Sequence, residues 1–222
     1  MWESESYRRD PVKKLDLRKT YKGLYSPPTK RVVEVKVPRL KFIMLDGVIE
    51  PGATPTTSQS FAGAMMAMYG VAYTLKFTSK LRKSNPIDYP VMASEGLWWV
   101  KSGKFSFKSK EPWSYTLMLM QPSHITPAMF RQAIADVRAK RGPNPALARL
   151  RLEAFSEGRC IQIMHVGPYA DEPRTLARMD EYMRVHGLRF RGKHHEIYMG
   201  DPRRAKPERL KTILRHAVER GS

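Results

Sequence analysis

The strongest restriction on the fold is an internal repeat. Lys41–Gly47 reads as a buried strand, a long helix follows, and Tyr89–Val100 and Tyr115–Gln121 supply two more strands. The second half runs in the same order, with a strand at Ile161–Gly167, a helix opened by Pro173, and strands at Lys193–Met199 and Leu210–Val218. A module of this size buries its apolar faces best by sharing them with a second copy. The repeat therefore predicts an α+β fold: duplicated strand-helix-strand-strand modules forming one curved antiparallel sheet. Helices are expected on one face, with a central ligand cleft between the copies on the other. The third elements of the two copies meet across a pseudo-twofold axis, and aligning them matches Glu95 with Glu196.

Helix signals fix the rest of the order. Thr57 or Ser58 caps a helix reaching about Leu81, in which Phe61, Met65, Met68, Ala72 and Leu75 recur at helical spacing. Met66, Tyr69, Tyr73 and Phe77 form a second apolar stripe, which predicts burial on more than one side. Thr126 and Pro127 open another helix, closed by Gly142-Pro143. Val32–Val37 is a strand, and Leu150–Ser156 with Arg159–Val166 reads as a hairpin around Glu157-Gly158. Residues 1–31 are a basic arm; Tyr7, Leu15, Leu17, Tyr21, Leu24 and Tyr25 suggest that it packs on the domain. Residues 32–222 are the domain, in halves of about 32–145 and 146–222.

Composition limits the function classes. The chain has 222 residues and no apolar run near the ~20 needed to span a bilayer, so no membrane partner is expected. Met1–Ser6 lacks the apolar core of a signal peptide, and Cys160 is the single cysteine, so a cytoplasmic location is expected. The net charge of +19 invites a nucleic-acid reading. Yet the basic residues are scattered, and no recognition helix, zinc-finger spacing or RNA-binding strand motif accompanies them. No specific nucleic-acid partner is expected, and the oligomeric state is expected to be a monomer or weak homodimer.

The chemistry concentrates at Gly192–Pro202. Strand alternation there puts His194, Glu196 and Tyr198 on one face and His195, Ile197 and Met199 on the other. A carboxylate between aromatic rings can face solvent or form a pocket floor. The repeat favours the pocket, because it brings Glu95 to the same cleft together with Trp98, Trp99, Trp113, Tyr115, Tyr169 and Tyr198. Alternation favours Trp99 beside Glu95, unless Gly96 hosts a bulge that substitutes Trp98. Tyr73, Met164 and His165 are further ligand-lining candidates. A metal site of His194, Glu196 and His165 is short of ligands, so no metal and no cofactor is expected. No Gly-x-Ser-x-Gly elbow or Gly-rich phosphate loop is present.

His165-Val166-Gly167-Pro168-Tyr169, His195-Glu196-Ile197-Tyr198, Asp201-Pro202-Arg203-Arg204 and Leu210–Arg215 resemble the GyrI-like small-molecule-binding family. Val71–Phe77 and Glu95–Trp99 resemble its stand-alone branch, since no helix-turn-helix precedes them. The resemblance implies an aromatic cleft for planar, hydrophobic or cationic compounds, with Glu196 as the acidic contact. It also implies hydrolysis, since some stand-alone members open the cyclopropane of spiro-cyclopropyl-dienone DNA alkylators as self-protection. In that chemistry Glu196 and Glu95 would be the acid–base pair and Tyr169 an alternative proton donor. The alternative is a non-catalytic protein that sequesters drugs or binds a protein partner such as DNA gyrase.

Overall fold

The computed structural model describes residues 10–102, 105, 111–200 and 204–221. In chain order, β1 (Lys13–Lys14), α1 (Leu17–Thr20) and α2 (Lys22–Tyr25) form the arm. Then come β2 (Val33–Val37), β3 (Leu40–Val48), α3 (Gln59–Leu81), β4 (Ile87–Asp88), β5 (Ser94–Trp99) and β6 (Ser114–Gln121). The second half holds α4 (Pro127–Arg141), β7 (Arg151–Phe155), β8 (Gly158–Val166), α5 (Glu172–Val185), β9 (Leu188–Phe190), β10 (His194–Tyr198) and β11 (Lys211–Arg220).

The main sheet runs β2-β8-β11-β10-β5-β6-β3-β7, and β9 pairs with the end of β11. Its centre is symmetric. β3-α3-β5-β6 and β8-α5-β10-β11 repeat one connectivity, and their middle strands β5 and β10 pair antiparallel at the junction. The chain passes straight from β2 to β3 and from β7 to β8, although these lie at opposite ends of the strand order. The sheet must therefore curl, and Ser156 Oγ donates to the Val37 carbonyl at 3.3 Å where its ends meet. This corrects the hairpin expected around Glu157-Gly158: β7 pairs with β3, and β8 with β2 and β11.

Caps set the helix starts. Ser58 Oγ accepts from Phe61 N at the head of α3, and Thr126 Oγ1 from Met129 N at the head of α4. α3 buries Ala64, Ala67, Met68, Val71, Ala72 and Leu75 against Ile43, Leu45, Leu117 and Leu119. α5 packs Met179 and Met183 on Ile161, Ile163 and Leu214. The second stripe of α3 is not buried as expected. Met66, Tyr73 and Phe77 are 62, 47 and 49 % exposed, because the sheet and α4 cover the other sides of the helix and none of the described residues covers this one.

The arm packs on the opposite sheet face, where the sequence placed a cleft. Leu17, Leu24 and Tyr25 pack with Phe42, Met44, Leu97, Met118, Ile197 and Ile213. A buried polar cluster sits among them. His195 Nδ1 lies 2.9 Å from Glu157 and its Nε2 3.0 Å from Glu95, while the Tyr25 hydroxyl donates to Glu95 at 2.6 Å. Arg215 donates to Gln162 and to the Leu24 carbonyl, and Gln162 donates to the Gly23 carbonyl. Burial works against charge on His195, but Glu157 and then Glu95 outweigh it and hold its pKa up at about 9. Burial likewise opposes ionisation of Glu157, yet His195 and Arg215 keep its carboxyl below the usual range. The polar partners satisfy one another, so the cluster acts as a lock for the arm.

Candidate active site

β10 carries the centre of the site on the helix face. Glu196 is 4 % exposed and accepts on both oxygens. Tyr198 OH is 2.7 Å from Oε2, and His194 Nε2 is 2.8 Å from Oε1. The first bond has a fixed direction. Trp98 Nε1 can only donate and lies 2.9 Å from the Tyr198 oxygen, so the phenol turns its own proton to Glu196. His194 Nδ1 is 2.9 Å from His216 Nε2. With a proton on Nε2 of each ring, His216 donates to His194 and His194 to Glu196. Burial, then the charge of Glu196, raises the Tyr198 pKa well above its ordinary value, so the phenol keeps its proton.

A second carboxyl group comes from α5. Glu172, the first residue of that helix, is fully buried, and among the described residues neither of its oxygens has a hydrogen-bond partner. One ligand atom each from Glu172, His194 and Glu196 lie within 4.8 Å of one another. Burial, followed by the neighbouring Glu196, pushes the Glu172 carboxyl up to about 10; the Thr212 hydroxyl opposes that shift. Two carboxyls this close and this dry do not both ionise, so the pair carries a proton near neutral pH. The same three groups, two carboxylates and an imidazole, are also a donor set that could hold a divalent transition ion.

Aromatic rings wall the pair. Trp98 is the hub, with ring centres of Phe61, Tyr115, Phe105 and Trp113 at 5.8, 5.7, 6.3 and 6.4 Å. Phe105 stacks on His194 at 5.4 Å, and Tyr169 meets Tyr198 edge-on at 6.0 Å. Gly96 makes the room: it lies directly opposite Glu196 in the β5–β10 ladder. A Cβ there would stand 2.6 Å from Trp98 Nε1 and 3.2 Å from the Tyr198 oxygen.

Glu196, Trp98, Trp113, Tyr115, Tyr169 and Tyr198 thus come together on one side. Others among the anticipated residues do not. Glu95 pairs with Ile197 across the ladder, which turns it to the arm face and the Tyr25–His195 cluster. The strand alternates without the bulge considered at Gly96, so Trp98 faces the site while Trp99 lies on the other face under the Lys193 ammonium, 3.1 Å from its ring centre. Met164 pairs with Ile213 and packs on the arm face. Tyr73 stands on the outward side of α3, half exposed. His165 is on the helix face but is occupied with Thr175 Oγ1 and the Pro168 carbonyl, holding the turn before α5. Glu172, His216, Phe61 and Phe105 were not anticipated. An acidic first helical residue reads as an ordinary partner of the helix dipole, so nothing in the sequence marked Glu172.

Two modules joined edge to edge, with a buried carboxyl pair among aromatic rings at their junction, define a duplicated-module domain. The model of the GyrI-like small molecule binding domain matches residues 73–217, and the chain belongs to the GyrI-like family. An uncharacterized conserved protein from Listeria innocua is 36 % identical, with a TM-score of 0.82, over 92 % of this chain and 100 % of that one. A hydrolase encoded by lin2189 of Listeria innocua is also 36 % identical, with a TM-score of 0.81, over 93 and 100 % of the two chains. The EcmrR C-terminal domain shares the fold at 8 % identity and a TM-score of 0.51, over 86 % of this chain and 98 % of that one. No curated protein sequence matches the chain.

Proposed function

We propose that the protein hydrolyses an electrophilic, planar aromatic small molecule, with Glu196 and Glu172 as the proton-handling pair. The observation that carries this reading is the buried carboxyl pair itself. Glu196 is held as a proton acceptor by Tyr198 and His194, next to a Glu172 that retains a proton. A purely structural pair so placed would be costly, since burying Glu172 without a partner destabilises the fold. The 36 % identical Listeria innocua protein is a hydrolase, which supports the same reaction class.

A spiro-cyclopropyl dienone fits the site by its chemistry. Its flat, apolar body suits the Trp98, Trp113 and Tyr115 walls, where stacking and desolvation favour it. Water, deprotonated by Glu196, attacks the cyclopropane methylene. The breaking carbon–carbon bond delivers its electron pair to the dienone, which becomes a phenolate. Tyr169, beside Tyr198 and half exposed, donates the proton that completes the phenol and recovers its own from solvent. Glu196 returns its proton to solvent, and the net change is addition of one water. Glu172 keeps the pair at a single negative charge, which preserves Glu196 as the base.

The test is to incubate the protein with such a dienone and follow the compound by mass spectrometry. Catalytic formation of the water adduct, many equivalents per protein, supports the reading. Bound but unchanged compound would make the site a sequestering one.

A further inference from the structure

We propose that the outward surface of α3 and α4 docks on anionic lipid bilayers. Ala62, Met66, Tyr73 and Phe77 fall on one line along α3 and are all exposed, Met66 by 62 %. The two charged residues of α3, Lys76 and Lys80, are both engaged by Asp88, at 2.6 and 3.0 Å. The outer side of this 23-residue helix is therefore apolar along most of its length.

α4 runs antiparallel beside it. Asn144, just past its C-terminus, donates to the Gly63 carbonyl at 3.0 Å, and a Cβ on Gly70 would lie 3.5 Å from Arg141 Nη1. Helical spacing puts Arg131, Arg138 and Arg141 on the flank of α4 that adjoins α3, and all three are exposed. Ala128, Ala135 and Ala139, also exposed, face outward beside them. The acid of this helix, Asp136, is on the far flank and accepts from the Gln132 amide. An apolar stripe is thus bordered by a row of guanidinium groups.

Charge selects the occupant. A second copy could cover the stripe, but it would bring two chains of +19 together with their arginine rows adjacent. Duplex DNA would neutralise the arginines and leave the stripe in water. An anionic bilayer accommodates both: Met, Tyr and Phe enter the headgroup–acyl boundary while phosphates meet the arginines. α3 also carries Phe61, stacked on Trp98, so docking by this helix would set the aromatic site near the phase in which flat apolar compounds dissolve. The inference stands independently of the proposed reaction.

Co-sedimentation of the full chain with phosphatidylcholine vesicles, with and without phosphatidylglycerol, tests it. The expected result is binding on the order of tenfold tighter when phosphatidylglycerol is present, weakening with salt. Met66→Ser with Tyr73→Ser and Phe77→Ser, and separately Arg131→Gln with Arg138→Gln and Arg141→Gln, should each abolish most of it. These positions are exposed, and circular dichroism checks that the variants fold. Absence of binding to anionic vesicles would overturn the proposal, as would binding undiminished by the apolar variant. Self-association or duplex DNA binding without vesicle binding would assign the surface to a different partner and overturn it equally.

Discussion

Glu95 and Glu196 sit one register step apart on paired strands and point to opposite faces of the sheet. Ile197 stands opposite Glu95, and Gly96 opposite Glu196. One residue of offset separates a carboxylate that locks the arm from a carboxylate that faces the aromatic site. Glu95→Gln should therefore act on stability. It weakens the acceptor for Tyr25 and His195, and a loss of about 1–3 kcal/mol in chemical denaturation is expected.

Glu172 should make the protein less stable as the pH rises. Its folded pKa, about 10, exceeds that of an unfolded glutamate, so the folded chain holds a proton that the unfolded one has released. His195, at about 9 in the fold, adds a second such proton above the unfolded histidine value of about 6.5. Its stabilising contribution is present below that value and is lost as the pH passes 9. Each retained proton costs about 1.4 kcal/mol per pH unit, so the wild type should lose stability steeply between pH 7 and 9. Glu172→Gln should halve that slope and melt higher than wild type at pH 8, by at least about 2 °C. An unchanged slope in calorimetry across this range would show that Glu172 is ionised.

Gly96→Ala should damage the site more than the fold. The new methyl would crowd the Trp98 indole and the Tyr198 hydroxyl, 2.6 and 3.2 Å away, and break the bond between them. Quenching of tryptophan fluorescence by a planar aromatic ligand should then weaken on the order of tenfold, equivalent to about 1.4 kcal/mol.

Tyr25→Phe should loosen the arm. It removes the donor to the buried Glu95 oxygen and leaves that acceptor dry, at a cost of about 1–2 kcal/mol. Amide exchange should quicken through α1 and α2, while the α3 core keeps its protection.

Much of the fold was legible because connectivity is written in order along the chain. The strand-helix-strand-strand repeat, the Ser58 and Thr126 caps and the alternation of His194, Glu196 and Tyr198 all appear as expected. What failed was information held between strands. Matching Glu95 with Glu196 in sequence is off by one residue in space, since the ladder register depends on packing of both faces. The exposed stripe of α3 looked like core because periodicity reports a helix face and not what covers it. The cover over the other sheet face was not legible, because nothing local shows that Leu17, Leu24 and Tyr25 pack on it.

We propose that Glu196 works with Glu172, the first residue of the repeat's second helix, and not with Glu95. Turnover of a spiro-cyclopropyl dienone by Glu172→Gln, Glu196→Gln and Glu95→Gln, corrected for the folded fraction, tests it most directly. Losses of about 10²–10⁴-fold are expected for Glu196→Gln and at least tenfold for Glu172→Gln, with Glu95→Gln near wild type. Full turnover by Glu172→Gln beside an inactive, folded Glu95→Gln would contradict the account.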